Sequence, residues 1–249
     1  LLADDQFAHE FKFTLKALVD VLPGMGRGNL GIIMARPEVG KTTFATHLAA
    51  EYLRQGFKVA YFMNEEPARK TKLRIMQAFL GLTKEEMSAT VGECKKKFNG
   101  AGELLKVYDA VGIEIDELNS YCAVHGADVV IIDQLDKMRV KGDFGRGDER
   151  LKQLYVETRE LAKRNNCLAW GVSQASAEAE GKDRVDYHML DNSKTGKPGE
   201  ADVIIGIGKG FASGDDDPYR GVFFSKNKVN GIHGFVTLKI EPEKGRDVN

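Results

Sequence analysis

Nine consecutive residues, Ala35-Arg36-Pro37-Glu38-Val39-Gly40-Lys41-Thr42-Thr43, have the types and spacing to hold a phosphate chain. An apolar run, Leu30–Met34, leads in, and a helix-forming run, Phe44–Ala50, leads out. A strand, a tight loop and a helix with Gly-Lys-Thr at the turn form the context of a phosphate-binding loop. Backbone N–H groups at such a turn point at anions, and the helix dipole adds to their pull. Lys41 would reach the β- and γ-phosphates of a nucleoside triphosphate such as ATP, and Thr42 would place its hydroxyl on Mg²⁺. Ala35 stands where the first glycine of this pattern is usual.

Other apolar runs also end on polar residues. Lys58–Met63 is followed by Asn64-Glu65-Glu66-Pro67, Val129–Ile132 by Asp133, and Ala169–Val172 by Ser173-Gln174. Ligands of open α/β sheets sit at the carboxyl ends of the strands, so these residues are expected at one edge beside the loop. Asp133 closes Val129-Val130-Ile131-Ile132, a Walker B pattern whose carboxylate can hold Mg²⁺ beside Thr42. Hydrolysis needs a group that orients or deprotonates water. Glu65 lies nearer its strand end and is preferred to Glu66, although Pro67 makes either one a candidate cap for the next helix. Gln174 can contact a γ-phosphate and hydrogen-bond onward.

Two further segments are basic. Asn192-Ser193-Lys194-Thr195-Gly196-Lys197, after Asp191, can track a phosphate backbone through its lysines and N–H groups. Lys226 and Lys228 alternate along a strand end, so both point the same way. They read as surface charge, or, in a ring, as cations reaching a neighbour's nucleotide.

The elements that would position these residues emerge from pattern. Predicted strands cover Leu30–Met34, Lys58–Met63, Leu104–Tyr108, Val129–Ile132, Ala169–Val172, Val203–Ile207, Val222–Ser225 and Phe235–Ile240. Predicted helices cover Thr42–Gln55, Arg69–Leu80, Ile115–His125 and Asp148–Asn165, with mixed helical character over Ala8–Leu22. Apolar strands alternating with helices give an α/β fold, a mostly parallel sheet covered on both faces. Asn230-Gly231 joins the last two strands as a hairpin. The glycines of Pro23–Gly28 precede a strand instead of following one, which makes them a turn and not a dinucleotide fingerprint.

Composition limits the alternatives. The 249 residues, 42% hydrophobic and 29% charged, suit one α/β domain, and a net charge of −1 argues against a uniformly basic surface without excluding nucleic acid, since a channel or single loop can be basic. Three unpaired cysteines, Cys94, Cys122 and Cys167, suit a reducing cytosol. No run approaches the roughly 18 apolar residues of a membrane span, and a first residue of Leu is expected of a trimmed chain or fragment.

Together the motifs resemble the motor domain of DnaB-type replicative helicases, RecA-like hexameric ATPases that include phage primase-helicases. The resemblance rests on Ala35–Thr43, Glu65–Pro67, Ile131–Leu135, Ser173–Gln174, Leu190–Asp202 and Lys226–Gly231, and spans about Phe13 to Ile240. In this family alanine is ordinary at the Ala35 position. The resemblance implies a RecA-like P-loop ATPase at 23–249 behind a linker helix at 1–22. It implies catalysis by Glu65, Lys41 and Gln174 and binding of nucleotide by Arg36, Pro37, Glu38, Val39, Gly40, Lys41, Thr42 and Thr43. Thr42 and Asp133 would hold Mg²⁺, and DNA would lie on Asn192–Lys197. Lys226 and Lys228 would act on the adjacent subunit's ATP, although lysine at 228 lacks the bidentate fork of the arginine frequent there. The implied activity is ATP-driven 5′-to-3′ unwinding by a homohexameric ring on single-stranded or forked DNA, with primase and polymerase as partners, in the cytoplasm of a bacterium or encoded by a virus. A recombinase filament, a nucleotide-switched assembly protein and a motor on another polymer are the competing readings.

Overall fold

The computed structural model describes residues 10–191, 196–210, 214 and 216–249. In chain order its strands are β1 (Phe11–Lys12), β2 (Gly24–Met25), β3 (Leu30–Ala35), β4 (Val59–Met63), β5 (Leu105–Asp109), β6 (Val129–Asp133), β7 (Leu168–Gln174), β8 (Val203–Gly208), β9 (Tyr219–Asn227), β10 (Phe235–Glu241) and β11 (Arg246–Val248). Its helices are α1 (Lys16–Val19), α2 (Lys41–Arg54), α3 (Ala68–Leu80), α4 (Lys84–Ala89), α5 (Val91–Leu104), α6 (Leu118–His125), α7 (Gly147–Arg164) and α8 (Gly196–Glu200). Among the described residues, nine strands form one sheet in the order β11-β10-β9-β8-β3-β7-β6-β4-β5. The six strands from β8 to β5 are parallel, and β9, β10 and β11 add antiparallel at one side.

The near-continuous apolar strands are buried on both faces because each face has its own core. Ile33, Tyr61, Ile131 and Trp170 pack with Phe44 and Leu48 of α2, while Ile32, Phe62, Ile132 and Ala169 pack with Leu118 of α6 and Leu154 of α7. Trp170 lies flat over Gly31, where even a Cβ would come within 2.4 Å of the ring. The α/β sheet and C-terminal hairpin expected from pattern are therefore present.

The N-terminal segment departs from expectation. Of Ala8–Leu22, the described part holds a two-residue strand and a four-residue helix, with β1 paired antiparallel to β2. Phe11 and Phe13 alternate into the core with period two, and Leu18 and Leu22 join them. The apolar spacing that suggests one helix is shared between a strand and a short turn of helix. Two helices, α4 and α5, occupy the stretch between α3 and β5, where pattern predicts neither. Lys95, Lys96 and Lys97 lie exposed on α5.

Candidate nucleotide site and the opposite sheet edge

β3 runs through Ala35 before the chain turns, so Ala35 is an extended, fully buried strand residue laddered to Gln174 on one side and Ile207 on the other. That position needs no left-handed backbone, which removes the demand for glycine. The left-handed positions come later, at Glu38 (φ 63°) and Gly40 (φ 116°). Gly40 caps α2, and Lys41 opens the helix with only 8% of its surface exposed. Arg36 turns away from the loop and ties it to the segment after β7, through Glu180 at 2.8 Å and the Ala175 carbonyl at 3.1 Å. An open cavity of about 200 Å³ lies against Gly40–Thr43, lined on its other side by Ile240 and Pro242 at the end of β10.

The parallel register brings the other strand ends to this edge. Asp133 is level with Met63, and Gln174 with Ala35. Asp133 is 2% exposed. Its Oδ2 accepts a hydrogen bond from the Tyr61 hydroxyl at 3.2 Å, while Oδ1 is buried without a hydrogen-bond partner among the described residues. Burial raises its pKa, against the pull of the adjacent Thr42 hydroxyl and the Lys41 ammonium. Asp133 accepts no backbone N–H bond of a helix start. The next residue, Gln134, is left-handed and leads into a 3₁₀ turn, so Asp133 is not a cap.

Glu65 and Glu66 separate clearly. Glu66 is held by Arg74 of α3 at 3.0 Å. Glu65 faces the loop and is paired with Lys137 of the 3₁₀ turn after β6. Burial would raise the Glu65 pKa, but hydrogen bonds from Lys137 and Gln134 and the charges of Lys137 and Lys41 outweigh it and hold the carboxyl below its ordinary range. Neither glutamate caps α3, whose first N–H, at Ala68, is taken by Asp109 at 3.0 Å. The Gln174 carbonyl accepts the Asp191 N–H at 3.1 Å, joining the end of β7 to the start of the basic segment. Asn192, Ser193, Lys194 and Thr195 lie outside the described residues. Gly196 and Lys197 open α8.

The paired lysines do not join this cluster. β9 runs antiparallel to β8, so Lys226 is level with Ile204 and through it with Ile32, toward the opposite edge of the sheet. The Lys226 ammonium donates to the Pro198 carbonyl, and Lys228 donates to Gly199 at 3.4 Å, both at the end of α8. Burial, with the charge of Lys228 next to it, lowers the Lys226 pKa to about 8. Within this chain these lysines sit toward the far side from Ala35–Thr43. Tyr61 and Lys137 also border the site, although the sequence motifs do not single them out. Lys137, four residues past the Asp133 strand end, had a positional signal, whereas Tyr61 is an ordinary strand residue until the fold sets it beside Asp133.

Comparisons with known proteins agree with this fold. The chain is 24% identical over 248 residues to the replicative DNA helicase DnaC of Bacillus subtilis strain 168, covering 91% of this chain and 53% of that protein. It thus spans about half the length of that curated relative. Among solved structures it superposes on the ATPase domain of G40P with a TM-score of 0.81 at 19% identity, covering 100% of this chain and 95% of that one. A DnaB-like replicative helicase, whose structure was determined with its interactions with primase, gives a TM-score of 0.77 at 19% identity, covering 90% of this chain and 57% of that one. These likenesses give the fold as that of RecA-like ATPase domains. The family model for the DnaB-like helicase C-terminal domain matches residues 11–243, and the chain belongs to that family.

Proposed function

We propose that this chain is the ATP-driven motor of a replicative DNA helicase, moving 5′ to 3′ on single-stranded DNA as a homohexameric ring. The observation that carries the reading is the division of the site between two sheet edges. Lys41, Thr42, Asp133, Glu65 and Gln174 converge at one, and Lys226 and Lys228 lie at the other. A ring brings one subunit's first edge against its neighbour's second.

The residues present fit Mg²⁺ with ATP. Asp133 offers a buried carboxylate oxygen that lacks a partner, beside Thr42. Asp133 and Thr42 would hold the ion through one carboxylate and one hydroxyl, with substrate phosphates supplying further oxygens. When bound there, the ion neutralises charge on the phosphates. Lys41 and the N–H groups of Glu38–Thr43 bind the phosphate chain. Glu65, kept ionised by Lys137, orients the attacking water by charge and hydrogen bonding, since a carboxyl with a lowered pKa is a weak base. The Gln174 side-chain amide would contact the γ-phosphate, and because the Gln174 backbone carbonyl accepts the Asp191 N–H, a shift of this strand end would move the start of the DNA-binding segment Asn192–Lys197. The neighbour's Lys226 and Lys228 stabilise charge developing on the transferred phosphoryl group.

Primase and polymerase are the partners expected of such a motor. No helix of the described residues is long and apolar enough to cross a membrane. The cytoplasm of a bacterial host, with the protein encoded by the cell or a virus, is the proposed location. An unwinding assay on forked DNA with each tail polarity tests the function. Wild type should open only forks with a 5′ tail to load on, and Glu65→Gln should bind ATP yet unwind neither. Equal unwinding on both tails, or full activity of Glu65→Gln, would overturn the reading.

A further inference from the structure

Arg220, at the start of β9, is a buried arginine, 6% exposed, whose guanidinium is used on backbone carbonyls. Its Nη1 donates to Asp217 and Tyr219 at 2.6 and 2.7 Å, which fixes the side chain against its own strand. Its Nε donates to the Val39 carbonyl at 2.9 Å, inside the phosphate loop. The register explains the reach. Gly221 pairs with Gly208, one step past the Ile207–Ala35 pair, so Arg220 stands at the edge where β3 gives way to the loop.

The bonded carbonyl belongs to a sensitive peptide unit. Val39 lies between the two left-handed positions, Glu38 and Gly40, and a non-glycine residue such as Glu38 occupies that region only when its surroundings hold it there. No cis peptide occurs in the described chain. In a planar trans peptide the C=O of Val39 and the N–H of Gly40 point in opposite directions. A donor fixed on the carbonyl therefore turns the Gly40 N–H away from Arg220. A charged donor on the carbonyl also polarises the amide and makes that N–H a stronger donor.

We propose that Arg220 is a positioning residue of the nucleotide site, one that sets the Val39–Gly40 peptide so that the Gly40 N–H faces the phosphates. The bond crosses 181 residues of sequence and comes from outside the loop-helix motif. The inference rests on reading Ala35–Thr43 as a phosphate loop and does not depend on DNA unwinding.

Equilibrium binding of a fluorescent ATP analogue with Mg²⁺ to the full chain tests it, alongside thermal melting of each variant. Arg220→Gln should weaken binding about 10-fold, the scale of one lost charge-assisted hydrogen bond. Arg220→Lys, which keeps a single charged donor, should recover most of the affinity and remain folded. Arg54→Gln is the control. Arg54 also holds backbone carbonyls, those of Ala78 and Phe79 at 2.7 Å, but at the far end of α2. It should lower the melting temperature and leave affinity unchanged. Affinity of Arg220→Gln within twofold of wild type would overturn the proposal, as would equal losses in Arg220→Lys and Arg220→Gln or a matching loss in Arg54→Gln. Wild type failing to bind the analogue would instead overturn the phosphate-loop reading.

Discussion

Replacing Asp133 by Asn should stabilise the nucleotide-free protein while removing its response to Mg²⁺ and ATP. Asp133 is held in a buried position where desolvation raises its pKa despite Lys41, Thr42 and Tyr61, so the ionised form is less stable there than in water. One carboxylate oxygen lacks a hydrogen-bond partner. Asn keeps the shape and an acceptor for Tyr61 and carries no charge. Leaving a charged group buried and incompletely satisfied, in place of a neutral amide, costs about 1–3 kcal/mol. Taking the lower end, because Lys41 attracts the carboxylate, gives a gain of about 1 kcal/mol. For a domain of this size that is a rise of roughly 2–4 °C in melting temperature. The sign with pH comes from linkage. A carboxyl raised in the folded state contributes stability that is fully present below its unfolded value near 3.9 and is lost as pH rises through the folded value. The advantage of Asn should therefore vanish in acid and grow toward neutral pH. With Mg²⁺ and ATP at about 100 times the dissociation constant, wild type gains about 2.7 kcal/mol and the order reverses. Calorimetry across pH, with and without ligand, is the assay. A nucleotide-free Asp133→Asn variant that melts below wild type at pH 7, or that still gains from Mg²⁺ and ATP, would refute the reasoning.

The same structure sets other expected outcomes. Lys41→Ala should abolish ATP turnover in the presence of single-stranded DNA while leaving the fold intact, checked by a phosphate-release assay with circular dichroism. Burial also lifts the Asp247 carboxyl to about 8, against the attraction of Arg220. Its contribution is fully present below the unfolded value near 3.9 and is lost progressively as pH rises to about 8, so the melting-temperature gain of Asp247→Asn over wild type should be smallest near pH 4, grow with pH and level off above about 8. A gap that does not change with pH would contradict this. Burial holds His47, which accepts the Asp247 N–H at 3.4 Å, down at about 3. His47→Gln should therefore reduce the stability that wild type loses as pH falls from about 6.5 toward 3.

The sheet was legible because its strands are apolar on both faces and bounded by polar punctuation, as at Val129–Asp133. Three of the four longest helices, α2, α3 and α7, were legible from the same alternation, as was the shorter α6, whose predicted first turn at Ile115–Glu117 is 3₁₀. α4 carried a signal that went unread, the Thr83 and Glu86 capping box. α5 was obscured by Gly92, Gly100 and Gly102, which lower helix propensity where packing of Cys94, Phe98 and Ala101 decides the outcome. Site residues at strand ends could be named because parallel strands deliver their ends to one edge. The position of Lys226 and Lys228 could not, because it depends on β9 running antiparallel to β8. Arg220 was invisible for the same reason. One strand carries it at the phosphate-loop edge and the lysine pair at the other, and only the register reveals that.

Subunit mixing tests most directly whether the neighbour's lysines complete the ATP site. Lys41→Ala lacks a working phosphate loop, and the double variant Lys226→Ala, Lys228→Ala lacks the trans cations. Each alone should show little DNA-stimulated ATP hydrolysis. Mixed at equal ratio, about a quarter of the interfaces in a head-to-tail ring should pair an intact loop with intact lysines, and hydrolysis should return. If no mixing ratio restores activity, or if the double lysine variant hydrolyses ATP as wild type does, the shared site is contradicted.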